Sequence, residues 1–140
     1  MKVESFSLGM LQTNCYLLYR GKEKKGIVID PGENPKPLLT RLKQLQLKID
    51  AILLTHAHFD HIAGLDEVRS FTKAPVYLHE LEKDWLEDPR KNGSGNWMDL
   101  PTVICDPADG LLVGGENLSF FGETFQVIHT PGHSPGSVTY

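Results

Sequence analysis

Thr55-His56-Ala57-His58-Phe59-Asp60-His61 follows directly on Ile49-Asp50-Ala51-Ile52-Leu53-Leu54, a largely apolar run of strand length. Such a run suits a central strand of a sheet covered on both faces. His56 and His58 are two residues apart, so they project to one side as the extended chain leaves the sheet. Asp60 and His61 fall at the turn into the next helix and face the same loop-lined space. Strand carboxyl ends are where α/β folds place their ligands. With 6 His in 140 residues, this four-residue pattern arises by chance on the order of once in a thousand chains.

Imidazole nitrogens and carboxylate oxygens are borderline ligands that suit Zn²⁺, with iron and manganese as competitors. Three His form a tripod with an open fourth position, as a catalytic site requires. No Cys lies nearby in sequence, which argues against a closed structural zinc site. The third His comes from a second cluster, His129-Thr130-Pro131-Gly132-His133-Ser134-Pro135-Gly136. Two Pro and two Gly give this loop the rigidity needed to aim one side chain. Either His129, at a strand end, or His133, inside the loop, can supply that ligand.

Outward from this segment, Val3 to Leu8, Asn14 to Tyr19 and Gly26 to Asp30 read as three opening strands. A hairpin turn at Gly21 to Lys25 joins the last two, and Asp30-Pro31-Gly32 closes the third. Leu38, Leu39, Leu42, Leu45 and Leu47 follow helical spacing behind entrance prolines. Leu65 to Phe71 predicts a short helix, Pro75 to Leu78 a strand and Glu80 to Leu86 another helix. Asp88 to Pro101 reads as a long polar loop, then Leu118 to Phe121 and Phe125 to Ile128 as strands. Ser137 to Tyr140 reads as a strand that has only begun, so the chain is expected to be one incomplete domain, residues 1–140.

The net charge is −4 and the Lys and Arg are scattered, which argues against nucleic acid or an anionic membrane as partner. No stretch has signal-peptide or membrane-spanning character. Cys15 reads as a buried free thiol, and the chain as cytosolic and without a disulfide.

The two His motifs, with Thr13-Asn14-Cys15-Tyr16 and Ile29-Asp30-Pro31-Gly32, resemble the metallo-β-lactamase superfamily, closest to its short glyoxalase II-like branch. The resemblance implies an α/β fold, the four-layer αββα sandwich, of which this chain covers the N-terminal half and the start of the second. It implies His56, His58 and His133 as ligands of a first metal and Asp60 and His61 as ligands of a second. Asp30 resembles the carboxylate that braces the metal loops, and His129 a neighbour without a ligand role. Members of the superfamily also use a later bridging Asp and a last His, neither of which is present here.

The expected function is zinc-dependent hydrolysis of a thioester of the S-acylglutathione type. Zinc lowers the pKa of a bound water to about 7, giving the attacking hydroxide, and Asp60 orients it. The alternatives are a non-haem iron persulfide dioxygenase of the same superfamily and an inactive metal-binding fragment that self-associates through an uncovered sheet. His79 is expected at the surface or as a helix cap. Trp85, Trp97 and Met98 are either a substrate mouth or ordinary packing. Asn92-Gly93-Ser94-Gly95 lacks the Lys-Ser/Thr of a phosphate loop.

Overall fold

The structure is a computed structural model describing residues 1–140. Its centre is a six-stranded mixed sheet in the order β1-β2-β3-β4-β5-β6. β1 (Lys2–Leu8), β2 (Thr13–Arg20) and β3 (Lys25–Ile29) form an antiparallel meander. β4 (Lys48–Leu53) then pairs parallel to β3, as do β5 (Val76–His79) to β4 and β6 (Gly110–Leu112) to β5. Parallel pairing needs crossovers. Helix α1 (Lys36–Leu45) makes the first, and α2 (Phe59–Ile62) with α3 (Leu65–Thr72) makes the second.

The apolar run that opened the sequence reading is buried on both sides. Val28, Ile52 and Leu54 pack with Leu38 and Leu42 of α1 and Leu65 and Val68 of α3. Ile27, Ile29, Ala51 and Leu53 face the other way, onto Phe121 and Phe125. Those phenylalanines belong to a hairpin of β7 (Asn117–Phe120) and β8 (Glu123–Gln126). Successive residues serving opposite faces is the period of two that a strand imposes. Each fully buried Leu or Ile contributes about 1.5–3 kcal/mol, so this double-sided strand anchors the loop it delivers.

α1 begins with Pro at its first turn and ends at Gln46 in the left-handed conformation (φ 51°). Gly64 is required by close approach: a Cβ there would lie 2.1 Å from the Gly32 carbonyl oxygen. The Gly64 N–H also donates to the Pro31 oxygen at 3.0 Å. The turn after β3 is thereby clamped to the junction between α2, which carries Asp60 and His61, and α3.

Several elements differ from the sequence reading. Glu80–Trp85 is a 3₁₀ helix rather than an α-helix. The segment read as a polar loop contains α4 (Pro89–Asn92) and a 3₁₀ turn, Ser94–Asn96. Asp88 caps α4 by accepting from Arg90 N–H, and Pro89 occupies its first turn. Asn92 is buried, with Nδ2 donating at 2.9 Å to the carbonyls of both Trp85 and Val103. β6 has no counterpart in the reading; three residues are too few to show a period. The strand expected at Phe125 to Ile128 is split: β8 ends at Gln126, and β9 (Ile128–His129) pairs instead with β10 (Val138–Thr139). No helix is long and apolar enough to cross a membrane.

Candidate metal centre

His56 and His58 leave β4 as expected, and Asp60 and His61 lie within α2. The T-P-G-H loop returns between β9 and β10, and the Val138 N–H donates to the Thr55 oxygen at 2.9 Å. That bond sets the second loop beside the first. The rings of His56, His58 and His133 lie 4.8–4.9 Å apart, each pair nearly perpendicular. One nitrogen from each falls within 4.8 Å of the others. His58 Nδ1 and His133 Nε2 approach to 3.0 Å. His129 is elsewhere: its Nε2 meets the Pro135 carbonyl at 2.9 Å and its ring stacks on His79 at 4.2 Å.

Thr55 Oγ1 lies 2.9 Å from His56 Nδ1. His56 Nε2, by contrast, is buried with no hydrogen-bond partner. An orphaned buried polar atom costs roughly 1–3 kcal/mol. Three clustered imidazoles, one with an unpartnered buried nitrogen, are a donor set that a divalent cation takes, and the residues therefore fit one. Burial and the neighbouring His61 hold the His56 pKa down to about 4. Burial and His133 also lower that of His58. Both rings are thus neutral near pH 7, which is the ligating form.

Asp30 is buried in the left-handed conformation (φ 52°), and its carboxylate holds three groups. Oδ1 accepts from Thr55 N–H at 2.8 Å; Oδ2 accepts from Thr55 Oγ1 at 2.6 Å and contacts His61 Nδ1 at 3.0 Å. Asp30 also lies within ligand reach of His56 and His61. With both oxygens so engaged, it orients the neighbouring side chains. Burial lowers the His61 pKa, but the hydrogen bond and charge of Asp30, with the charge of Asp60, outweigh it, and the net shift is upward. The Asp30 contact leaves His61 Nε2 facing Asp60 Oδ2 at 3.4 Å. Thr13 Oγ1 donates to the same Asp60 oxygen at 2.7 Å.

Glu82 escaped the sequence reading. It is fully buried in the 3₁₀ helix. Its Oε2 accepts from Ala57 N–H at 2.7 Å, between the two His of the first loop. Its Oε1 accepts from Gly136 N–H at 2.9 Å and from the hydroxyl of Ser134 in the second loop. One carboxylate thus ties both His loops together. The approach depends on Gly136, where a Cβ would lie 2.8 Å from Glu82 Cγ. A Glu flanked by other charged residues carries no local signal of such a role. His79 does cap the 3₁₀ helix, its Nδ1 accepting from Leu81 N–H, but it is buried rather than at the surface. Trp85 packs beside His58 at 5.5 Å, whereas Trp97 and Met98 are exposed.

The sequence profile of the metallo-beta-lactamase superfamily matches residues 8–140. The chain belongs to this superfamily. Within the superfamily it is 43% identical over 140 residues to "Probable metallo-hydrolase YqgX" of Bacillus subtilis, all of this chain and 65% of that protein. It is 28% identical over 142 residues to "Hydroxyacylglutathione hydrolase GloC" of Haemophilus influenzae, all of this chain and 66% of that protein. Among solved structures, the BLEG-1 B3 metallo-beta-lactamase superposes with a TM-score of 0.91 at 49% identity, over 98% of this chain and 65% of that one. TTHA1623 in a di-iron-bound form gives 0.69 at 37% identity, over 96% and 64%. The fold is the metallo-β-lactamase α/β fold, and the chain spans about two thirds of the length of these superfamily members.

Proposed function

We propose that this metallo-hydrolase domain cleaves thioesters, with His56, His58 and His133 holding a zinc ion and Asp60 and His61 flanking a second. The single observation that carries the metal assignment is that His56, whose buried Nε2 has no partner, stands with His58 and His133 so that one nitrogen of each lies within 4.8 Å of the others. A divalent cation held there supplies Lewis-acid polarisation and a water of lowered pKa.

The chain's own residues supply orientation. Thr13 fixes Asp60 Oδ2, leaving the carboxylate placed to accept a proton from the attacking water. Water oxygen adds to the acyl carbon, the carbon–sulfur bond breaks, and the sulfur leaves as thiolate. The products are a carboxylate and a thiol, with one proton released. A thiolate leaves readily, so the step needs no strong general acid. The GloC relationship supports an S-acylglutathione type of substrate. Two buried free thiols, Cys15 and Cys105, support a cytoplasmic setting. The substrate in this reading is a small molecule. The scattered Lys and Arg and the net charge of −4 argue against nucleic acid or membrane as partners, and copies would self-associate through the uncovered sheet.

Iron is the second reading, favoured by the similarity to the di-iron TTHA1623 structure. One sample separates them: elemental analysis alongside assays for thiol release from an acyl thioester and for oxygen uptake with a persulfide. Zinc with thiol release is the expected result. Iron with oxygen uptake and no thiol release overturns the reading.

A further inference from the structure

A cavity of about 280 Å³ opens beside the histidine cluster, between the β1–β2 turn, α2 and the segment around Ile104. Asp60 lines its wall and also stands 3.4 Å from His61 Nε2, so the cavity adjoins the candidate metal centre through that one residue. Most of its other walls are apolar: Leu8, Leu11, Phe59, Ala63, Val103 and Ile104 are among them. Its charged lining residues are Glu33, Asp60 and Asp66, and no Lys or Arg reaches it. Asp66 is paired with Arg69 at 3.5 Å, and Glu33 is engaged by the Met10 N–H at 3.2 Å.

We infer that this cavity takes the acyl group of the substrate, and that the acyl group is an uncharged aliphatic chain rather than lactoyl. The inference rests on the thioesterase reading and deepens it. Glu33 and Asp60, with no Lys or Arg in the lining to offset them, repel the anionic ends of a glutathione conjugate, so the thiol carrier stays outside. An aliphatic chain gains along its whole length from the apolar majority of the walls, whereas a lactoyl group has a single methyl to bury against them. A cavity of roughly 150 Å³ holds benzene, so this one accepts a chain on the order of six to ten carbons. An acyl chain inserted here presents its carbonyl at the Asp60 wall, where the histidines stand.

Each methylene buried multiplies affinity by about fourfold, which makes the length of the chain a direct readout. The test uses the metal-loaded chain and two thioethers that cannot be hydrolysed, S-hexyl- and S-(2-hydroxypropyl)-N-acetylcysteamine, titrated by calorimetry. The hexyl compound is expected to bind at least about tenfold more tightly. Ala63→Leu, which fills the cavity, and Leu11→Asp, a change on an exposed side chain, should each abolish that preference. Urea unfolding of both variants shows whether they remain folded, and Leu11→Asp keeps the test decisive if Ala63→Leu does not. Equal affinity for the two thioethers, or a preference that survives in the folded variants, overturns the cavity assignment. Hydrolysis of the hexanoyl and lactoyl thioesters of the same thiol is followed in parallel. Tight, variant-sensitive binding of the hexyl thioether without any hydrolysis upholds the cavity and overturns the thioesterase reading instead.

Discussion

The Glu82 carboxylate accepts a 2.7 Å hydrogen bond from the backbone N–H of Ala57, the residue between His56 and His58. Through its other oxygen it also holds Gly136 and Ser134, so the geometry of two loops depends on one buried charge. Glu82→Ala should cost about 3 kcal/mol or more of stability, because it strands buried donors in both loops. Glu82→Gln should also destabilise, since its amide presents hydrogens where N–H groups already point. In both variants metal affinity should fall along with stability. Urea unfolding with a chelator competition on the same samples checks this; unchanged affinity in folded Glu82→Gln would detach Glu82 from the site.

Of His58 and His79, only His58 contributes a nitrogen to the cluster. His58→Ala should remove most of the bound metal. His79→Ala should retain it while losing stability, through the lost 3₁₀ cap and the stack on His129, about 1 kcal/mol each. Elemental analysis of dialysed protein and thermal unfolding separate the two effects. Equal metal content in both variants would sink the assignment.

His129 is engaged by the Pro135 carbonyl and the His79 ring, whereas His133 stands with His56 and His58. His133→Ala should weaken metal binding more than about tenfold, or roughly 1.4 kcal/mol. His129→Ala should change it little. A chelator titration giving the reverse order would refute the ligand set.

Far from the site, Arg41 and Tyr19 both bind the Glu4 carboxylate, at 2.7–2.8 Å. The Arg41 guanidinium, against the opposing pull of burial, holds the Glu4 pKa at about 2 instead of 4.5. A depressed folded-state pKa gives stability that is complete above the unfolded value and is lost as pH falls through the folded one. Glu4→Gln should therefore be less stable than the parent near pH 7, with the gap closing between about pH 4.5 and 2. Urea midpoints across that range test it, and a gap independent of pH would contradict it.

The first histidine loop was legible because its surroundings constrain it twice. The two-sided apolar run of β4 announces a central strand, and closely spaced His at its end announce a ligand set. The T-P-G-H loop left His129 and His133 open, because both are delivered by the same strand. Only the third-dimensional contacts, Pro135 on one and His58 on the other, divide them. Glu82 was not legible, since its partners lie 25 and 54 residues away and nothing local marks a buried carboxylate. β6 and the split between β8 and β9 escaped for a different reason: pairing with distant strands decides elements of two to four residues, and propensity over so few residues cannot.

The central claim is that His56, His58 and His133 form one cation site, and metal stoichiometry tests it most directly. Purified chain is loaded with zinc, dialysed against buffer and analysed for metal and protein, beside His56→Ala treated identically. The account predicts about one tightly held ion per chain, falling to a small fraction in the variant. Equal metal content in the two proteins, or none in either while the fold is intact, would contradict it.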